Sequence, residues 1–301
     1  IAPGDRVVTT QVEHPSVSAP LEALAKRGAR VVALAPEATG CVPLASFVEA
    51  IEAGASLVAV IWANNETGAI QPIEDLAELC RERGVWLHVD ATQALGKLPI
   101  DLARVPVDSL ACSAHKLGGP KGIGALIARD QAAIAPLLLG GGQEHGQRGG
   151  TENTIGIAGF GAACAAAAAE LSREAPVRGD EIRGLRDRLW AGIQASVPSV
   201  RWNGVPATTL PNTLNCEFEG LAGEVLLQAL DLEGVAVSAG AACHSGSVEP
   251  SKTLLAMGRT AAQARASLRF SLGQGVDAGQ IDRVVELLAK LAPRIRALGE
   301  P

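Results

Sequence analysis

The chain has 301 residues, 48% hydrophobic and 19% charged, with 34 glycines and a formal net charge of −6. That is enough chain for about two domains, in the composition of a folded α/β protein rather than a disordered or fibrous one. The acidic balance and scattered arginines leave no basic footprint for nucleic acid, and no apolar run is read as reaching the roughly 18 residues of a membrane span, so a small-molecule partner is expected.

The chain starts at Ile1 and enters a strand almost at once, which reads as a piece cut from a longer polypeptide, with any upstream targeting segment out of view. Apolar runs at 6–10, 30–34, 57–63, 85–91, 107–115 and 122–128 are candidate strands. Between two of them Ile73, Leu76, Ala77 and Cys80 fall at i, i+3, i+4 and i+7, and Gly84 follows as a helix C-cap. This β-α-β alternation predicts a mostly parallel sheet covered by helices, with ligands at the carboxyl ends of its strands.

After "GGGQEHGQRGGTEN" (140–153) the pattern changes. A helical stretch over about 155–195, strand-like runs at 211–220 and 234–243, a helix over about 221–232, the strand "SLRFSLG" and a closing helix carrying Ile281, Val284, Val285 and Leu288 read as α+β. The expected division is a large domain over 1–170 and a smaller one over 171–301.

The strand ends carry the chemistry. "HVDATQ" places Asp90 and Gln93 at one carboxyl end, and "SAHKLGGPKGIG" places Ser113, His115 and Lys116 at that of a probable neighbour, before a glycine-rich loop. A lysine and an aspartate at adjacent strand mouths suit pyridoxal 5'-phosphate: the lysine forms a Schiff base and the aspartate keeps the pyridine nitrogen protonated. A neighbouring cation or desolvation would lower the lysine's pKa and leave it nucleophilic. A structural ion pair between Asp90 and Lys116 is the competing reading, and spacing alone does not separate the two.

"VEHPSV", "ANNETGAIQPI", "HVDATQALGKLPIDL", "SAHKLGGPKGIGAL", "GGGQEHGQRGGTEN", "SAGAACHSGSVEPS" and "SLRFSLG" occur in order along nearly the whole chain. Together they resemble the signature blocks of the cysteine desulfurases, of the class V aminotransferase family and of the nitrogen-fixation and iron–sulfur-assembly type. The resemblance implies a fold type I pyridoxal-phosphate transferase with part of its N-terminal segment missing, and a cytoplasmic homodimer. It also implies L-cysteine as substrate and a sulfur-acceptor or iron–sulfur scaffold protein as partner, with no nucleic acid, membrane or metal.

Carried over residue by residue, the resemblance makes Lys116 the lysine that holds the cofactor, Asp90 the partner of its pyridine nitrogen and Gln93 the hydrogen-bond donor to its 3-oxygen. Asn65 orients ring and substrate, and His14 stacks on the ring and relays protons; taken alone, His14 would read as a helix-start or surface histidine. Ser113 and His115 match phosphate ligands, in keeping with hydroxyl and backbone donors in a glycine-rich loop. Thr151 matches a phosphate contact supplied across the homodimer. Arg269, a lone arginine within an apolar strand, matches the clamp on the substrate's α-carboxylate, for which a planar fork is suited; a structural salt bridge is the plain alternative.

The six cysteines show no C-x-x-C pair and no zinc spacing, which excludes a disulfide framework or structural metal site as the expectation. Cys80, Cys112, Cys164 and Cys216 fall in apolar patterns and read as inert core, and Cys41 lies in a loop without catalytic neighbours. Cys243 sits among small residues in "AGAACHSGS", where the resemblance places the thiol that takes sulfur as a persulfide. His244 beside it departs from the family pattern, and the adjacent pair does not make a tetrahedral zinc site. The alternatives are selenocysteine lysis or another class V reaction on the same fold, an inactive scaffold homologue, and a cofactor-free cysteine hydrolase.

Overall fold

The structure is a computed structural model that describes residues 1–129, 134–171, 178–239 and 249–299. Its first half contains β1 (Arg6–Thr10), α1 (Pro15–Lys26), β2 (Arg30–Leu34), α2 (Leu44–Glu52), β3 (Ala55–Ile61), α3 (Ile73–Arg83), β4 (Trp86–Asp90), β5 (Ser109–Ser113) and β6 (Gly124–Ala128). These strands form one sheet in the order β2-β1-β3-β4-β5-β6. β1 to β5 are parallel and β6 alone runs antiparallel to its neighbour β5. Val7, Val8, Val58, Val60, Leu87 and Val89 have no exposed surface. Strands covered on both faces read as such continuous apolar runs.

The α3 stripe lies where its spacing puts it, with Ile73, Leu76, Ala77 and Cys80 buried and Gly84 closing the helix at φ +65°. Glu74 and Asp75 in its first turn and Arg81 and Arg83 in its last complement the helix dipole. Sheet order reverses between β1 and β3, and their pairing ends at Val8–Val58. The strands therefore part above that point, which is where an open α/β sheet collects its ligand.

The second sheet is antiparallel, in the order β7 (Val200–Trp202), β8 (Thr213–Phe218), β10 (Ser267–Ser271), β9 (Ser238–Ala239). Ahead of it α4 (Thr154–Leu171) packs Phe160 into the core of the first sheet, and after α4 come α5 (Arg178–Ser196), α6 (Gly223–Leu232), α7 (Lys252–Ala256), α8 (Ala261–Arg265) and α9 (Ala278–Gly299). Leu189 and Ile193 of α5, Leu214 and Phe218 of β8, Leu226 of α6, Leu268 of β10 and Leu288 of α9 form the core of the second sheet. A mostly parallel sheet beside a smaller antiparallel one is the expected α/β architecture.

Two sequence expectations shift, and one short strand is added. The run 57–63 overshoots β3, because the last bond to β4 runs from the Trp62 amide to Asp90 O and Ala63 then pairs with Ile70 in the following turn. β7, at 3 residues, is too short to show a period in the sequence. α4 is, by length and composition, apolar enough to cross a membrane, against the expectation of no such run. Its hydropathy comes from its alanines together with Ile155, Ile157, Phe160, Cys164 and Leu171, and within the helix Gly156 and Phe160 are buried. Any side chain at Gly159 would strike Pro120, and Ala163 and Ala167 lie against Gly119 and Gly96, so one face of α4 is held on the Lys116 loop.

Candidate active site

The first two strand mouths meet through Glu13 and Asn64. Thr10 Oγ1 donates to Glu13 Oε1 at 2.6 Å, and the Ile61 amide donates to the same oxygen at 3.0 Å, bridging β1 to β3 where their ladder has ended. Glu13 Oε2 is buried without a partner among the described residues. Burial, with Asp90 adding repulsion, pushes the Glu13 carboxyl from 4.5 up to about 8. Asn64, 1% exposed, donates to Val12 O and accepts through Oδ1 from the amides of Glu66 and Thr67.

His14 is the N-cap of α1, with Pro15 following. The Ser16 amide donates to its Nδ1 at 3.1 Å, which leaves Nε2 as the protonated nitrogen of the neutral ring. The helix-start role that the sequence alone suggested is therefore real, and the exposed ring keeps a free proton-bearing edge beside it. Asn65 makes no side-chain hydrogen bond among the described residues.

Asp90 ends β4, 5% exposed, and one of its oxygens accepts from the Thr92 amide at 2.9 Å. Its other oxygen has no partner among the described residues. Gln93 stands one turn further on and accepts from Lys97. Ser113 ends β5, Ala114–Lys116 make a single 3-10 turn, and Ser113 Oγ lies 2.7 Å from His115 Nδ1. Gly124 is required because a Cβ there would lie 2.6 Å from Cys112 O, and Gly96 because a Cβ would lie 1.9 Å from Leu117 Cδ1. The glycines thus let the loop fold back on its own strand and set Lys116 at the strand mouth.

Lys116 is exposed and forms no ion pair with Asp90 among the described residues. A cavity of about 320 Å³ opens beside it, lined by Lys97, Lys116, Asn212 and Gln274 and walled by α4. Asp90, Gln93 and His14 do not line that cavity. Lys116 thus stands between the strand mouths and the gap that separates the two sheets.

Arg269 reaches this region from the second sheet. Nη1 donates to Asn65 O at 2.7 Å and Nη2 to Ser238 Oγ at 3.1 Å, while buried Nε has no partner. Burial lowers its pKa despite the pull of Glu66. No carboxylate bonds it among the described residues, so the structural salt bridge is not what is found. Thr151 is exposed and makes no side-chain hydrogen bond within the described residues.

Cys243 and His244 lie outside the described residues. The five described cysteines are free. Burial raises the thiol pKa of Cys80 to about 12 and those of Cys112 and Cys216 upward, in keeping with inert core residues, while Cys164, also raised, is only partly buried on α4. Cys41 donates to Ile70 O and is likewise raised by burial.

The sequence reading missed Glu13, Asn64, Glu66 and Lys97. Asn64 heads an N-N-E-T-G turn with its Oδ1 on two following amides, a local pattern that Asn is known to favour. Lys97 stands four residues after Gln93. Glu66 carries no local signal, because its partners Ser251 and Thr253 are far along the chain.

An Asp, a Lys and a His at three strand mouths around a topological switch are what a doubly wound sheet offers a ring-shaped anionic ligand. The model of the class-V aminotransferase family matches residues 1–284. The chain belongs to that family. It is 43% identical over 292 residues to a cysteine desulfurase of Klebsiella pneumoniae, covering 97% of this chain and 72% of that protein. It is 41% identical over 298 residues to the cysteine desulfurase IscS of Clostridium botulinum, covering 98% and 74%. Among solved structures, a NifS-like protein superposes with a TM-score of 0.87 at 30% identity, over 97% of this chain and 76% of the other. DndA from Streptomyces lividans does so with a TM-score of 0.74 at 36% identity, over 88% and 74%.

The residues present fit pyridoxal 5'-phosphate, the cofactor of this family. Asp90 keeps an unpartnered oxygen in a buried position at the mouth of β4, and Lys116 after β5 and Asn65 after β3 have uncommitted side chains at the mouths of the two strands that flank β4.

Proposed function

We infer that this chain is a pyridoxal-phosphate-dependent cysteine desulfurase, which takes sulfur from L-cysteine, releases L-alanine and passes the sulfur to an acceptor. The observation that carries the reading is Arg269: a half-buried guanidinium with a buried, orphan Nε, bonded only to neutral oxygens, facing the turn that also presents Asn65. A guanidinium fork of that kind is completed by a carboxylate, and a free amino acid brings one.

When bound, pyridoxal phosphate supplies an electron sink for the substrate's α-carbon. Lys116 would hold the cofactor and move the substrate's α-proton. Asp90 would keep a proton on the ring nitrogen, and Gln93 would donate to the ring oxygen. His14 would offer its Nε2 proton to the ring side of the site, and Ser113, His115 and the loop amides would hold the phosphate. Arg269 and Asn65 fix the α-carboxylate, so that the substrate's sulfur has one direction of approach. The Cys243 thiol then takes that sulfur: an S–S bond forms, the C–S bond breaks, and the β-carbon gains a proton to give alanine. The product at Cys243 is a persulfide, a transferable form of sulfur.

Three further parts of the reading belong with it. The chain works as a homodimer in which Thr151 completes the partner's phosphate site; exposed Leu137, Leu138 and Leu139 next to the 140–153 loop support it, since apolar clusters of this kind mark contact surfaces. The sulfur acceptor is a scaffold for iron–sulfur assembly, a part of the reading that rests on the motifs' resemblance to cysteine desulfurases of that type. The compartment is the cytoplasm, supported by the free state of the five described cysteines.

The test is the product ratio. With pyridoxal phosphate and L-cysteine, the protein should make alanine and sulfane sulfur in equal amounts, and Arg269→Met should lose most of both. Alanine-free sulfide release would contradict the reading.

A further inference from the structure

Lys97 lies on the turn after β4, four residues beyond Gln93, and its Nζ donates a 2.6 Å hydrogen bond to Gln93 Oε1. The turn is closed by backbone bonds from Ala94 and Leu95 to Ala91 O and from Lys97 and Leu98 to Ala94 O, so residues four apart stand on one side of it. That bond is the ammonium's only hydrogen bond among the described residues.

The position is a costly one for a cation. Burial first, then repulsion from Lys116 and Arg269, brings the Lys97 pKa from 10.5 down to about 8. Lysines ordinarily relieve such a cost by reaching their ammonium out to water. Lys97 instead lines the same cavity as Lys116.

The bond also decides how the amide faces. A glutamine amide presents an acceptor oxygen on one side and two donors on the other. An ammonium has donors only, so it selects Oε1 and excludes the flipped amide, which would set N–H groups against N–H groups. The Nε2 side of Gln93, with its two donors, is thereby turned away from the ammonium and toward the opposite direction.

We propose that Lys97 is a positioning residue, which locks the Gln93 amide so that its N–H groups face the electron-rich ring oxygen of pyridoxal phosphate. This rests on the reading of Gln93 given under the proposed function. Lys97 acts through Gln93 and touches no reacting atom.

The test uses the whole chain without substrate and reads cofactor binding by absorbance and fluorescence titration, together with the pH midpoint of the bound cofactor's absorbance. The variants are K97M, K97R, Q93A and the K97M/Q93A pair, each checked by thermal melting. Q93A and K97M should each weaken binding roughly tenfold, the size of one lost hydrogen bond, and displace the pH midpoint in the same direction. The double variant should be no worse than Q93A alone, since two residues acting as a unit do not add. K97R, which keeps a charged donor, should recover most of the loss.

A K97M protein that binds like the parent while Q93A does not overturns the proposal, as does a double variant showing the product of the two losses. A Q93A protein identical to the parent overturns the reading of Gln93 and the proposal with it. If K97M does not fold, K97Q takes its place in the same comparison, with the same outcomes deciding.

Discussion

Arg269 Nη1 donates to the backbone carbonyl of Asn65 at 2.7 Å across 204 residues of sequence. The second sheet thus reaches into the turn that ends β3 of the first, and the guanidinium is oriented by backbone before any substrate arrives. Because the fork is pre-set, Arg269→Lys should fail almost as badly as Arg269→Met: lysine has one point of attachment and cannot hold carbonyl and carboxylate together. Either change should cut kcat/KM for L-cysteine by roughly 10- to 100-fold, from the loss of a charge-assisted bond of about 1.5–3 kcal/mol, while cofactor affinity stays within a few-fold. A normal KM in the lysine variant would refute the clamp.

Glu13 gives the structure a pH dependence of definite sign. Its carboxyl is raised by burial from 4.5 to about 8, so between those values the folded protein keeps a proton that the unfolded chain has released. Its stabilising contribution is full below 4.5, falls as the pH rises through that window and is gone above about 8. Glu13→Gln should flatten this decline, which melting temperatures at the two ends of the window would show. An unchanged slope would mean that Glu13 is ionised in the folded protein.

Glu66 ties the turn after β3 to the start of α7. It accepts from the hydroxyls of Ser251 and Thr253, and Ser251, 1% exposed, also caps α7 through the Leu254 amide. Removing the carboxylate leaves buried hydroxyls unsatisfied, so Glu66→Ala should cost about 1–3 kcal/mol in denaturant unfolding. Adding Ser251→Ala should cost less than the sum of the two singles; full additivity would show that the contact contributes nothing.

Gly96 is the steric test of the Lys116 loop. At φ +73°, with a Cβ placed 1.9 Å from Leu117 Cδ1, Gly96→Ala must move Leu117 or the turn. The expected loss is about 1–3 kcal/mol from overpacking, together with weaker cofactor binding, because Leu117 adjoins Lys116. A variant as stable as the parent, with parental cofactor affinity, would show that the loop does not depend on this contact.

What the sequence made legible follows from the range of the forces involved. β1 and β2 match the predicted runs residue for residue, and α3 was predicted from four apolar residues and its glycine cap, because those signals are local. Asp90, Gln93, Ser113 and Lys116 were placed at strand ends for the same reason, since a run of buried valines and leucines announces where it stops. Glu13 was hidden because its importance comes from Ile61, on a strand 48 residues away. Glu66 was hidden because its hydroxyl partners lie 185 and 187 residues on. The length of α4 misled a reading based on large apolar residues, since alanine packs closely without announcing a core. The function assigned to Cys243 rests on motif resemblance alone, as that residue lies outside the described part of the chain.

The central claim is that Lys116 and Cys243 act in sequence on one molecule of L-cysteine. Its most direct test is mass spectrometry of the protein after one turnover with pyridoxal phosphate and L-cysteine, with the modified peptide located. One added sulfur atom on the peptide bearing Cys243, absent in both Lys116→Ala and Cys243→Ser, is the predicted result. Sulfur on another cysteine, or alanine formed at the parental rate by Cys243→Ser, would contradict the account.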